Sequence, residues 1–434
     1  MAGSDTIFAL STGQLPSGVA IIRMSGPDVR FAIETIFGDV PPARRSAYGI
    51  LSFEGSEIDR GLCLYFPGPG SVTGEDCGEF HVHGSVAVVN SLLACLGKIE
   101  RMRPAEAGEF TQRAFLNGKM DLTGVEALSD LIAAETEEQR KLAFANIGGG
   151  QRGIYEGWRN RLLSLRARLE AELDFSDQED VGESALDHVR QQADELALEI
   201  EKHSFLFQNS EIIRSGYSVV IVGAPNAGKS SLLNALARRD IAIVTGEAGT
   251  TRDLITVHLD IGGYKVNLTD TAGLREHAGH VEAIGIARAR ETAAKADLVI
   301  EVVDLVDPMR VSLGSDMPRL VVGAKCDLPE GDDFAVDLRL STVSGEGLED
   351  LVGHIGQRLR ARMGSVSATG PTRERHVRHL TSAAMSLKRA MQLQAHELLA
   401  EELRHAASEL GRIVGLTDTE ELLGEIFSRF CIGK

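Results

Sequence analysis

Cysteine is scarce in this chain and scattered along it. The five, Cys63, Cys77, Cys95, Cys326 and Cys431, form no C-x-x-C pair, so no disulfide framework or cysteine-rich metal site is written here, and reduced thiols in a cytoplasm are expected. Long apolar runs are also missing: none approaches the ~20 residues that cross a bilayer. The start, Met1-Ala2-Gly3-Ser4-Asp5, has no basic segment leading into an apolar core, as a secretory leader would. A cytosolic protein without membrane contact is the expectation. Basic excess is the third absence. A net charge of -18 opposes non-specific attraction to nucleic acid, so any RNA contact must use a local basic patch or a partner. The densest positive run is Arg373, Arg375, His376, Arg378 and His379, which reads equally as a solvated helix face and as a contact surface for tRNA or a partner.

What remains is ordinary globular material. With 434 residues, 43% hydrophobic and 25% charged, the chain has room for two to four domains, each with its own core. The most specific stretch is Gly223-Ala224-Pro225-Asn226-Ala227-Gly228-Lys229-Ser230. It follows an apolar strand pattern, 218–222, and precedes a helical one beginning at Ser231. Strand, glycine-rich turn and helix N-terminus together make a phosphate-binding loop, with Lys229 reaching the β- and γ-phosphates and the Ser230 hydroxyl on Mg²⁺.

Downstream, strands are expected at 254–261 and 264–269 around a Gly262-Gly263 turn, giving a mostly parallel sheet with one reversed strand. The second ends in Asp270-Thr271-Ala272-Gly273, an acid that can hold Mg²⁺ through water and a glycine N–H that can meet a γ-phosphate. Apolar strands at 298–303 and 319–323 follow, the latter running into Ala324-Lys325-Cys326-Asp327. An aspartate there can accept both guanine N1–H and N2–H₂, which adenine cannot supply. Lys325 would lay its stem over the base, and the backbone of Ser341-Thr342-Val343-Ser344-Gly345 could meet the guanine oxygen.

Residues 1–118 alternate short β-like runs (6–10, 18–23, 61–66) with helical stretches at 27–37 and 85–98, an α+β pattern. Arg23 at the end of a strand, Glu79 after the acidic turn 73–78, and Lys119 read from the residues alone as a snorkelling arginine, a turn acid and a linker lysine. His81 and His83 share a strand face without a third metal ligand nearby. Helical spacing then runs over 125–146, stopped by Gly148-Gly149-Gly150, over 154–173, over 184–213 and, after the nucleotide segment, over 373–412 and 417–430. Neither flank can bury its apolar stripes alone, so one helical domain built from both, with the nucleotide domain inserted, is expected.

The chain resembles the MnmE/TrmE family of tRNA modification GTPases over essentially its whole length. The resemblance is carried by 223–236, by Ile243 to Asp253, by Asp270-Thr271-Ala272-Gly273-Leu274-Arg275, by Val72 to Asp76, by Ala114 to Lys119, and by the ending Phe430-Cys431-Ile432-Gly433-Lys434. It implies an α+β folate-binding and dimerisation domain at 1–118, a helical domain at 119–215 and 363–434, and an inserted α/β Ras-like GTPase domain at 216–362. It further implies a homodimer that joins an FAD-dependent partner of the MnmG/GidA type in a heterotetramer. Together they place a carboxymethylaminomethyl or aminomethyl group on C5 of the tRNA wobble uridine, with 5-formyl- or methylene-tetrahydrofolate as the one-carbon donor. Arg23, Glu79, Lys119 and Lys434 would contact that folate.

The nucleotide would meet Asn226, Ala227, Gly228, Lys229, Ser230 and Ser231, then Thr245, Gly246, Glu247, Ala248, Gly249, Thr250 and Thr251. Asp270, Thr271, Ala272 and Gly273, then Lys325, Asp327, Ser341, Thr342 and Val343, complete the set, with Ser230 and Thr251 on Mg²⁺. Two departures matter. Ala324 stands where such GTPases carry asparagine, and Thr342 where the family often has alanine. Small GTPases also use a glutamine after the D-x-x-G element to orient water, and here Leu274 cannot. Glu282 is the replacement expected to position the water, with Lys229 and Asp270 as the other catalytic groups. The Asn226 amide oxygen and the oxygens of 245–250 could wrap a monovalent cation, and the resemblance implies K⁺ at Asn226, Thr245, Glu247 and Thr250. Cys431 reads evenly as a small buried residue or a nucleophile. A ribosome-assembly GTPase without folate chemistry and a scaffold with a degenerate nucleotide site are the competing classes. Reduced-folate binding and GTP turnover respectively separate them.

Overall fold

The computed structural model describes residues 5–174, 183–243, 255–270, 292–309, 318–329, 334–364 and 369–417, with 424, 426, 427, 430 and 433. The chain forms two compact units. One contains 1–129, 152–190 and 389–434, and the other 130–151 and 191–388.

The first unit is built on a six-stranded sheet in the order β3-β4-β5-β2-β1-β6: β1 Thr6–Leu10, β2 Ser17–Ser25, β3 Ala47–Phe53, β4 Ser56–Phe66, β5 Cys77–Gly84 and β6 Met102–Pro104. All neighbours are antiparallel except β1 and β6. Alternation sorts the side chains, because successive residues point to opposite faces. Ala20, Ile22, Met24, Phe80 and Val82 lie in one core with Ala32, Ile33 and Ile36 of α1 (Val29–Phe37) and Leu92 and Leu96 of α2 (Val86–Leu96). Arg23, Glu79 and His81 fall on the other phase. Arg23 does not end its strand, as the apolar run suggested, since β2 continues to Ser25.

The second unit carries a six-stranded sheet in the order β12-β11-β10-β7-β9-β8: β7 Tyr217–Gly223, β8 Ile255–Ile261, β9 Tyr264–Asp270, β10 Leu298–Asp304, β11 Arg319–Ala324 and β12 Leu338–Leu340. Only the β8–β9 hairpin is antiparallel, as its glycine turn predicts. Val219, Val220, Ile221 and Val222 of the central strand β7 are all buried, which explains why that strand reads as an unbroken apolar run. Val219 and Ile221 pack with Leu232, Leu233 and Leu236 of the following helix, α9 (Lys229–Ala237).

Three of the expected helical runs are each divided in two. The run over 125–146 is two helices, α4 (Leu122–Ile132) and α5 (Glu137–Ile147). The break is set by Gln139, whose amide oxygen accepts the Thr136 N–H at 3.2 Å and caps the new helix. The three glycines do not all act as a stop, because Gly150 opens α6 (Gly150–Asp174). The run over 184–213 divides into α7 (Glu183–Ser204) and α8 (Phe207–Ser215), and 373–412 divides into α11 (Glu374–Ala390) and α12 (His396–Val414); α3 (Glu109–Leu116) precedes α4, and α10 (Leu348–Met363) follows β12. Most of 417–430 lies outside the described residues. Both units join helices from before and after the nucleotide segment. Arg190 donates to the Leu393 carbonyl at 3.1 Å in the first unit, and Gln151 to the Gly370 carbonyl at 2.6 Å in the second.

Candidate nucleotide site and the outer sheet face

The phosphate loop leaves β7 at Gly223, where the chain passes so close to β10 that a Cβ would sit 2.3 Å from the Val302 carbonyl oxygen. Only glycine permits that approach. The loop turns through Asn226, whose φ is +61°, and Gly228, and enters α9 at Lys229. Lys229 is buried, and its Nζ donates to the carbonyls of Gly223 and Ala224 at 2.9 and 2.8 Å, spanning the loop from its far end. Beside it, Ser230 Oγ donates to Asp270 Oδ2 at 2.7 Å. The parallel pairing of β7 with β9 sets Asp270 level with Ile221, so the buried carboxylate arrives next to the helix start. The hydroxyl and the carboxylate converging beside the phosphate loop form an oxygen donor pair suited to a hard cation.

Across the sheet, β11 delivers the second loop. Ala324 is buried, and a Cβ on Gly228 would lie 3.7 Å from the Ala324 methyl, so this residue abuts the phosphate loop where a longer side chain would make a polar tie. Lys325 has φ +64°, and Leu328 N–H closes a turn onto its carbonyl at 3.0 Å, with Asp327 inside the turn. The Lys325 ammonium meets Asp304 Oδ2 at 2.5 Å. Burial opposes ionisation of Asp304, but the Lys325 hydrogen bond and nearby backbone N–H groups outweigh it, and its pKa lies below the usual aspartate value. In the third loop the buried Ser341 hydroxyl accepts the N–H groups of both Val343 and Ser344 at 3.1 Å. The backbone expected to face the base is therefore partly committed: Val343 cannot offer its N–H outward, while the Thr342 N–H makes no hydrogen bond among the described residues.

On the first unit's sheet, Arg23 and Glu79 are directly opposed on β2 and β5. Arg23 Nε and Nη2 reach Glu79 Oε1 at 3.0 and 2.9 Å, and His81 Nε2 lies 3.0 Å from Glu79 Oε2. Burial works against the Glu79 charge, yet hydrogen bonds from His81 and Arg23 prevail and its pKa falls below the ordinary glutamate range. Lys119 is exposed elsewhere: its Cε lies over Gly74, in the turn that Asn117 Nδ2 holds through the Thr73 carbonyl at 2.7 Å. The structure brings Arg23 and Glu79 together and gives no contact between them and Lys119. The chain's penultimate residue also reaches this sheet. The Gly433 carbonyl accepts the Ser11 hydroxyl at 2.8 Å just past β1, where Ala9 pairs with Arg23. His83 turns to Asp59 at 2.9 Å, and among the described residues no three His, Cys, Asp or Glu side chains could share a metal.

Two family models match: "GTP-binding protein TrmE N-terminus" over residues 6–119 and "MnmE helical domain" over residues 122–431. The tRNA modification GTPase MnmE of Brucella anthropi is 52% identical over 435 residues, covering 99% of this chain and 98% of its own. That of Brucella canis is 51% identical over 436 residues with the same shares. The chain belongs to the MnmE (TrmE) family.

For this MnmE-family chain, several expected residues lie outside the described ones: Thr245, Gly246, Glu247, Ala248, Gly249, Thr250, Thr251, Thr271, Ala272, Gly273, Glu282, Cys431 and Lys434. Asp304 was missed from the sequence, although an acid ending a strand beside a functional loop is the same signal that singled out Asp270. The buried Arg113 was missed too. It joins Glu75 and Glu109, both at 3.0 Å, in an ionic cluster with Asp5 and Arg103. Within the basic run, Arg373 pairs with Asp130 at 2.8 Å and His376 is buried, while Arg378 is exposed.

Proposed function

We propose that this protein is a tRNA modification GTPase that binds and hydrolyses GTP on the second unit's sheet. The observation that carries the reading is the Lys229, Ser230 and Asp270 arrangement at the mouth of the phosphate loop. Loop N–H groups and Lys229 take the β- and γ-phosphates, and Asp327 accepts the guanine N1–H and N2–H₂. Mg²⁺, held by Ser230 and Thr251 with Asp270 behind them, supplies charge neutralisation for the phosphoryl oxygens. Glu282 orients the attacking water. Asn226, Thr245, Glu247 and Thr250 would hold K⁺, which would supply the positive charge an arginine finger gives elsewhere, and two nucleotide domains would dimerise across it. Turnover measured in K⁺ and in Na⁺, with Lys229→Ala and Glu282→Ala alongside, tests this. Equal rates in the two salts remove the cation, and an active Glu282→Ala protein removes its role.

Family membership supports a reading of the wider assembly. Residues 1–118 form the domain that binds a reduced folate through Arg23, Glu79, Lys119 and, from the far end of the chain, Lys434; 119–215 and 363–434 form the helical domain and 216–362 the GTPase domain. Support comes from the Arg23–Glu79 pair on the outer sheet phase and from Gly433 docked beside β1. The protein acts in the cytoplasm as a homodimer with an FAD-dependent partner on the wobble uridine of tRNA. Mass spectrometry of tRNA nucleosides from cells lacking the gene is expected to show loss of a C5 adduct, and an unchanged nucleoside profile sinks the assignment.

A further inference from the structure

We propose that Asp304 is a positioning residue for guanine recognition, holding the turn that presents Asp327 through its ion pair with Lys325. The proposal deepens the assignment of Asp327 as the guanine contact and rests on it.

The geometry leaves that turn few supports. Its entry residue, Lys325, sits at φ +64°, a backbone conformation that a non-glycine residue keeps only where its surroundings impose it. Residue 324, just before it, is alanine and reaches the phosphate loop only by van der Waals contact. Beyond the turn's own Leu328-to-Lys325 bond, the described ties are the Leu305 N–H on the Ala324 carbonyl at 3.1 Å, the Cys326 N–H on the Leu340 carbonyl at 3.2 Å, the Cys326 thiol with Glu346, and the Lys325–Asp304 pair at 2.5 Å. The first two act on backbone and leave the lysine side chain unplaced. Asp304 is itself fixed by pairing level with Ala324 on the neighbouring strand, and its Oδ1 accepts the Val306 N–H at 2.9 Å. A rigid carboxylate therefore grips the lysine that begins the turn. The carboxylate of Asp327, two residues on, inherits that placement.

Guanine recognition is where this should register. Guanine offers N1–H and N2–H₂ to Asp327, whereas hypoxanthine offers N1–H alone. Misplacing Asp327 therefore costs GDP more than IDP. General loosening of the domain weakens both alike.

The test is equilibrium binding of GDP, IDP and xanthosine diphosphate to the full-length protein carrying Asp304→Asn, Lys325→Met, both changes, or Asp327→Asn. Lys325→Met keeps the stem and removes the ammonium. Each single change is expected to weaken GDP about tenfold, the scale of one charge-assisted hydrogen bond, and to bring the GDP-to-IDP affinity ratio toward one. The double variant should be no worse than either single change. If one variant fails to fold, the other still reads the ratio. An unchanged ratio, or losses that multiply in the double variant, overturns the role of Asp304. Asp327→Asn should trade GDP for xanthosine diphosphate, whose C2 oxygen accepts from an amide. Failure of that exchange alone removes the assignment of Asp327 and leaves the Asp304 result separately readable.

Discussion

Ser230 Oγ and Asp270 Oδ2 lie 2.7 Å apart, joining the first turn of the phosphate-loop helix to the end of a strand forty residues on. Ser230→Ala removes one neutral-to-charged hydrogen bond, so stability should fall by about 1.5–3 kcal/mol. If the pair also holds Mg²⁺, turnover should fall by far more than that energy allows, and added Mg²⁺ should recover part of it. Urea unfolding and GTP hydrolysis across a Mg²⁺ series measure the two effects. A rate that merely follows stability would make this pair structural.

Gly433 has φ +95°, and a Cβ there would lie 2.0 Å from the Leu10 carbonyl oxygen. Gly433→Ala should therefore lift the C-terminal end off β1 while leaving the folded sheet intact, because the clash is with backbone that cannot turn aside. Reduced-folate binding should be lost in Gly433→Ala and, if Lys434 is a ligand, equally in a chain shortened by that lysine. Hydrogen exchange at 9–12 should rise in the alanine variant. Unaltered folate affinity in both would exclude the terminus from the site.

The sequence was informative wherever pattern and period coincide. The β8–β9 hairpin was legible from Gly262-Gly263, and the phosphate loop from its glycines and flanks, because local chemistry alone decides them. Helix ends were not. Thr136 and Gln139 cap a helix inside a run whose apolar spacing passes straight over the break, and a hydrogen bond between side chain and backbone leaves no periodic trace. Arg113 and Asp304 escaped notice for a different reason: their partners lie up to 108 residues away, and only register across a sheet or packing of a helix brings them together. Arg23 could be picked out, but its opposition to Glu79 is a fact of strand pairing.

His203 on α7 is buried, and desolvation lowers its pKa from 6.5 to about 4. A depressed histidine binds its proton more readily unfolded than folded between those values, so stability rises with pH through this window and levels off above about 6.5. At pH 5 the penalty should be about 2 kcal/mol relative to pH 7. His203→Gln, which cannot protonate, should flatten the pH dependence of urea unfolding of the second unit between pH 4.5 and 6.5. A slope that survives the substitution assigns the effect to other groups.

The cluster around Arg113 should give the first unit a separate acid limit. Arg113 Nη1 meets Glu75 at 3.0 Å, Nη2 meets Glu109 at 3.0 Å and Asp5 at 3.2 Å, and Arg103 grips Glu109 with both terminal nitrogens at 2.8 and 2.6 Å. Burial raises the cost of the Glu109 charge, but the hydrogen bonds from Arg103, the Glu106 N–H and Arg113 outweigh it, so its pKa is lowered from 4.5. A lowered carboxylate contributes stability that is complete above the unfolded value and is lost as pH falls from about 4.5 toward the folded value. Arg113→Met leaves Glu75 and Glu109 short of a buried partner, and breaking a buried pair from one side costs about 3–5 kcal/mol. Arg113→Lys should recover only part, because an ammonium cannot span three carboxylates with a planar fork. Trp158, the chain's single tryptophan, belongs to this unit, so its emission can follow urea unfolding of the first unit from pH 3 to 7. The wild-type midpoint should drop below pH 4.5, and the Arg113→Met midpoint should start lower and change less with acid. Parallel curves for the two proteins would mean that these carboxylates owe nothing to Arg113.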